Sequence, residues 1–173
     1  MGGDSRKSAQ IVIDHFSLPI SVDEYLEERE ARLEELFPLV TEIDGAGAFV
    51  EHLKVAGITM GLATSSHSRL CRLKLQGKAW ADHFDAVICG DNPALHNPKP
   101  APDIFLLCAR AVGAQPHDCI AIEDSPNGIT AAIDAGMTVI AINSPWVDRE
   151  DLADASMIVD SYHELLGMAT WKG

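Results

Sequence analysis

Five short apolar runs, at 58–63, 84–89, 119–122, 138–142 and 157–159, alternate along this chain with stretches of helical periodicity. No other feature of the sequence constrains the fold as strongly. Strands separated by helices of this length predict a parallel sheet covered on both faces. The punctuation agrees. Asp44 is placed to cap a helix over 45–56, and Gly57 sits where a left-handed residue would end it. Leu70, Leu73 and Leu75 carry a helix to Gly77, while Ile104, Leu107, Cys108, Ala111 and Val112 carry another to Gly113. Ser125 caps a helix over 126–135, with Pro126 at its first position and Gly136 just past its end. A last helix is predicted over 161–168.

The first forty residues contain no strand signal. Residues 8–16 predict a helix with an apolar face of Ala9, Val12, Ile13 and Phe16. Ser21 and Glu24 then form a capping box opening a second helix, whose stripe of Leu26, Leu33, Leu36 and Phe37 is suited to a neighbouring helix. The expected organisation is therefore a helical unit over 1–40 and an α/β unit over 41–173, with the boundary between Phe37 and Gly45.

Composition narrows the function classes. A chain of 173 residues, 47% apolar and 23% charged, can build a globular core. Acidic side chains number 26 against 13 basic ones, a net charge of −13, which argues against nucleic acid and anionic lipid as partners. No apolar run approaches a bilayer span, and Met1 to Lys7 lack a signal peptide's apolar stretch. The four cysteines include no C-x-x-C pair. Reduced thiols in a cytoplasmic protein are the expectation.

Three polar clusters fall at strand ends, where open α/β sheets bind ligands. Thr64-Ser65-Ser66 follows the strand at 58–63; hydroxyls and backbone N–H groups there can cradle an anion, although for this cluster taken alone helix capping is the preferred reading. Asn97-Pro98-Lys99-Pro100-Ala101-Pro102-Asp103 precedes a helix, and its prolines stiffen the segment that carries Lys99. Asp103 reads as a first-turn carboxylate complementing the helix dipole. Glu123-Asp124-Ser125 ends an apolar strand; two adjacent carboxylates there exceed what a cap requires and suit Mg²⁺. An anion cradle, an aimed lysine and a carboxylate pair after successive strands together point to phosphoryl transfer.

On these residues the chain resembles the haloacid dehalogenase superfamily, and within it the β-phosphoglucomutase-like and pseudouridine-5′-phosphatase-like branch. Leu62-Ala63-Thr64-Ser65-Ser66 is similar to the second family motif, Lys99-Pro100-Ala101-Pro102-Asp103-Ile104-Phe105 to the third, and Glu123-Asp124-Ser125-Pro126-Asn127-Gly128 to the fourth. Gly90-Asp91-Asn92-Pro93 and Ala9-Gln10-Ile11-Val12-Ile13-Asp14 resemble the subgroup as well. The resemblance implies a Rossmann-like core with part of a helical cap. It also implies a Mg²⁺-dependent phosphatase acting on a small phosphorylated metabolite, such as a sugar or nucleoside phosphate. Carried across, Thr64 hydrogen-bonds the transferring phosphate, aided by the Ser65 backbone N–H, and Lys99 bridges phosphate and nucleophile. Asp124 ligates Mg²⁺, with Glu123 beside it as a ligand or as an acceptor behind the ligands. His67 follows the cradle and is expected to be a solvent-exposed bystander.

The sequence departs from the family at one point. The first family motif, Asp-x-Asp-Gly on the first strand, supplies nucleophile and general acid/base. No Asp-x-Asp follows a strand here, and in the family that strand lies between those matching 58–63 and 119–122. The leading expectation is an N-terminally truncated chain, inactive alone. The segment could instead come from a complementing chain, or the protein could be a non-catalytic phosphate-binding pseudoenzyme. A sugar-phosphate mutase of the same family shares every motif present.

Overall fold

The computed structural model describes residues 5–168 and 171. Two helices come first, α1 (Ser5–Phe16) and α2 (Val22–Leu36), packed on each other. The capping box forms reciprocally: the Glu24 N–H donates to Ser21 Oγ at 3.2 Å, and the Ser21 N–H to Glu24 Oε2 at 2.8 Å. Ala9 and Ile13 of α1 are buried, but Phe16 is exposed. No residue of α2 is fully buried, so its stripe is only half covered. A single 3₁₀ turn, Phe37–Leu39, leads out of the pair.

The α/β part then runs α3 (Ala46–Val55), β1 (Gly61–Thr64), α4 (Ser68–Leu75), β2 (Ala86–Cys89), α5 (Asp103–Ala111), β3 (Ile120–Glu123), α6 (Pro126–Asp134), β4 (Thr138–Ile142), β5 (Met157–Val159) and α7 (Tyr162–Leu166). Every strand pair is parallel. β4 alternates between two cores. Val139 and Ala141 face a cluster with Ile104, Phe105 and Cys108 of α5 and Ile129, Ala131 and Ala132 of α6. Ile140 and Ile142 face Phe49, Val50 and Leu53 of α3 and Leu165 of α7. A strand buried on both faces is what a helix-covered parallel sheet requires.

Gly57, Gly77, Gly113 and Gly136 all adopt positive φ, between 74° and 85°, as their places after helices predict. Two local expectations change. Asp44 does not cap α3: the N-cap is Gly45, at φ 79°, and the Asp44 carboxylate lies 3.2 Å from His163 Nε2. The chain enters α3 through a turn in which the Ala46 N–H donates to Ile43 O, a geometry that needs a left-handed residue at 45 rather than a capping side chain. β1 is shorter than 58–63, because the Met60 N–H donates to the Asp85 carboxylate at 2.8 Å instead of to a neighbouring strand.

The sheet is divided. β1 pairs with β2, in the order β1-β2, and β3-β4-β5 form a separate three-stranded sheet. Among the described residues no strand pairs with the remaining edge of β1 or of β3. All four cysteines are free thiols.

Candidate active site

The three polar clusters meet at the carboxyl ends of β1 and β3. Lys99 is the hub. Its side chain is 7% exposed, and its ammonium forms an ion pair with Glu123, itself 9% exposed, at the end of β3. The same Nζ lies 3.5 Å from the Ala63 carbonyl of β1 and 4.7 Å from the centroid of the Phe105 ring. A buried ammonium is tolerated only when paired, and here a carboxylate, a carbonyl and an aromatic face supply the compensation. One side chain thus ties the two separate sheets together. The Lys99–Pro100 peptide is cis. Asp103 accepts hydrogen bonds from the Asn97 N–H at 3.0 Å and the Asn97 Nδ2 at 3.3 Å, so its carboxylate shapes the loop around Lys99.

Both oxygens of the Glu123 carboxylate are engaged. Oε1 takes Lys99, while Oε2 accepts from Ser125 Oγ at 3.1 Å and from the Asp124 N–H at 3.3 Å. Ser125 also caps α6 through the Gly128 N–H at 3.1 Å. Asp124 is the reverse: its carboxylate is exposed and makes no hydrogen bond or ion pair among the described residues. A cation would be held by Asp124, with Glu123 orienting Lys99 behind it. Among the described residues no group of three or more His, Cys, Asp or Glu side chains converges on one point. An exposed, uncommitted carboxylate fits Mg²⁺, which takes one or two protein carboxylates and fills its octahedron with water or phosphate.

The cradle follows β1. The Ser66 N–H donates to Thr64 Oγ1 at 3.1 Å, leaving the Thr64 hydroxyl proton free to donate elsewhere. Ser65 is exposed. The Ser66 carbonyl accepts from the Gly90 N–H at 2.9 Å, and a β-carbon at position 90 would overlap the Ser65 carbonyl. Asp91 pins the start of α4, accepting from the Ser68 N–H at 2.9 Å and the Ser68 hydroxyl at 2.7 Å. These bonds, the hydroxyl's first, hold the Asp91 carboxyl below the usual aspartate range. His67, the N-cap of α4, is exposed and makes no side-chain cap bond.

Thr64, Ser65, Lys99, Glu123 and Asp124 are therefore gathered at the ends of two strands. Sequence reasoning missed Lys74, whose Nζ donates to Ser66 Oγ at 2.9 Å. Its spacing gives no signal, because a lysine late in an amphipathic helix ordinarily faces solvent.

Comparison with known proteins gives a consistent result. The profile of the haloacid dehalogenase-like hydrolases matches residues 8–136. The chain is 35% identical over 165 residues to a Drosophila melanogaster protein named "Probable pseudouridine-5′-phosphatase", covering 93% of this chain and 71% of the other. It is 35% identical over 182 residues to (DL)-glycerol-3-phosphatase 2 of Arabidopsis thaliana, covering 99% and 76%. Among solved structures, CbbY from Rhodobacter sphaeroides in complex with phosphate superposes with a TM-score of 0.74 at 27% identity, over 85% of this chain and 67% of that one. The β-phosphoglucomutase of Clostridium difficile gives 0.76 at 26% identity, over 94% and 73%. With its parallel strands, its helix-covered faces and a profile match spanning most of its length, this chain belongs to the haloacid dehalogenase-like hydrolase family.

Proposed function

We propose that this chain carries the phosphate-binding and metal-binding half of a Mg²⁺-dependent phosphomonoesterase site for a small phosphorylated metabolite. The observation that carries the reading is Lys99, a buried cation reaching the ends of both β1 and β3 beside the Thr64–Ser66 turn and Asp124. In this reading the Thr64 hydroxyl and the Ser65 N–H donate to phosphate oxygens, and α4 contributes the positive end of its dipole. Lys99 offsets the charge that gathers on the phosphoryl group and its attacking oxygen. Glu123 fixes the direction of the ammonium. Asp124 would hold Mg²⁺, whose chemistry when bound is charge neutralisation at a phosphoryl oxygen. The phosphatase names of the curated relatives and the phosphate bound in the CbbY structure support the ligand class.

The nucleophilic carboxylate belongs, in the same reading, to an extended acidic segment seated against the open edges of β1 and β3, from this polypeptide or a complementing chain. The helical unit over 1–40 serves, in this reading, as part of a cap on the α/β unit over 41–173. The chain of 173 residues alone is expected to bind phosphate and to hydrolyse phosphate esters negligibly.

Titration of inorganic phosphate into the chain with Mg²⁺ present tests this, alongside an assay with a generic phosphate ester. Binding that is lost in Lys99→Met, without turnover, supports the reading. Turnover by the chain alone that is lost in Lys99→Ala would require a nucleophile within these residues. Phosphate binding with no turnover, even after a peptide bearing Asp-x-Asp-Gly is added, would favour a non-catalytic phosphate-binding role; the divided sheet is the observation on that side.

A further inference from the structure

Three cations on or just after α4 reach the end of the helical pair and the segment that follows it. Arg69 pairs with Glu34 of α2 at 2.7 Å, and Lys78 Nζ donates to the Val40 carbonyl at 3.1 Å. Between them, Lys74 Nζ stands 4.4 Å from the centroid of the Phe37 ring, at the residue where α2 gives way to the 3₁₀ turn. Among the described residues, only the Lys74 link has its other end in the cradle, through the 2.9 Å bond to Ser66 Oγ.

That bond sits at a junction. Ser66 also donates its N–H to Thr64 Oγ1 at 3.1 Å and accepts the Gly90 N–H at 2.9 Å. Because the Ser66 hydroxyl accepts from Lys74 and the Thr64 hydroxyl accepts from Ser66, neither bond uses a hydroxyl proton, and both protons stay available for donation to an anion. Lys74 is half-buried, and burial lowers its proton affinity, opposed in part by the negative charge of Asp124. A half-buried ammonium depends on its partners, so moving the Phe37 ring away alters the balance that keeps Nζ on Ser66.

We propose that Lys74 is a positioning residue that couples the helical pair to the phosphate cradle, holding the Ser66 and Thr64 hydroxyls in an anion-accepting arrangement while Phe37 covers its ammonium. The ligand rests on the reading above; the coupling itself does not.

A double-mutant cycle with Phe37→Leu and Lys74→Met decides it, read by the affinity for inorganic phosphate and by amide hydrogen exchange at Ser66. Phe37→Leu alone is expected to weaken phosphate binding about fivefold and Lys74→Met about tenfold, each with faster Ser66 exchange. If the Phe37 effect runs through Lys74, the double variant should be no worse than Lys74→Met, whereas a route through the general packing of the Phe37 turn on α4 would add to it. Lys74→Arg keeps a donor and a cation over the ring, and should restore most of both signals, which a general loss of folding would not allow. Additive effects in the cycle, or unchanged exchange at Ser66 in Lys74→Met, overturn the coupling. If the wild-type chain binds no phosphate, the ligand reading falls and the exchange cycle still decides the coupling.

Discussion

Gly128 and the Glu123 carboxylate share one volume: a β-carbon at position 128 would overlap the carboxylate atoms of Glu123. The first turn of α6 can pass this close to the end of β3 only because residue 128 has no side chain. Gly128→Ala is therefore expected to push Glu123 off Lys99 and to destabilise the fold by about 1–3 kcal/mol. Denaturant unfolding measures it. A variant as stable as wild type would mean that Glu123 has a second position that costs little.

Much of this arrangement is legible in the sequence, and the exceptions share a cause. The glycines at 57, 77, 113 and 136, the Ser21–Glu24 box and the Ser125 cap are local devices, decided within a few residues. β4 and β5 occupy the residues that their apolar runs mark. The convergence of Thr64, Lys99 and Asp124 follows from the rule that loops at the carboxyl ends of parallel strands gather on one side of the sheet. Asp44 fails as a cap because its neighbour Gly45 takes the left-handed turn, a choice made by the incoming chain. Glu123 and Asp124 look alike as adjacent carboxylates, yet one is enclosed by Lys99 and Ser125 and the other faces solvent. Strand alternation fixes which of the two points inward, but not what waits there. Lys74 is not legible in the sequence because its partner ring, Phe37, lies 37 residues away along the chain.

Lys99 and Glu123 are both almost wholly enclosed, so neither tolerates the loss of the other. Lys99→Met leaves a carboxylate in the interior with two hydrogen bonds and no counter-charge, at an expected cost of about 3–5 kcal/mol. Adding Glu123→Gln should recover a large part of that loss, since a neutral amide needs no counter-ion. Urea midpoints of the two single variants and the double variant give the coupling. Equal loss in Lys99→Met and in the double variant would show that the charge on Glu123 is not what makes the lysine necessary.

Asp91 sets a pH dependence. Its carboxyl is held below its ordinary value of 3.8, chiefly by the Ser68 hydroxyl. A depressed folded-state value means that the stabilisation is fully present above that ordinary value and is lost as pH falls through the lower, folded one. The start of α4, and with it the cradle turn, is therefore expected to loosen on acidification below about pH 4. Asp91→Asn should flatten this part of the profile. Urea midpoints of both proteins between about pH 6 and about pH 3 provide the comparison, and parallel curves would remove Asp91 from the account.

Asp124 is where the metal reading can fail independently of the phosphate reading. Its carboxylate is exposed and uncommitted, while Glu123 has spent both oxygens on Lys99, Ser125 and the Asp124 N–H. Mg²⁺ is expected to tighten phosphate binding in the wild-type chain, because the ion and the anion complete each other's contacts. In Asp124→Asn that enhancement should fall about tenfold or more, while the affinity without Mg²⁺ should not fall with it, because Lys99 and the cradle remain and the nearby negative charge is removed. Titrating phosphate with and without Mg²⁺ into both proteins separates the two contributions. An Asp124→Asn variant that responds to Mg²⁺ as the wild type does would move the cation away from the end of β3.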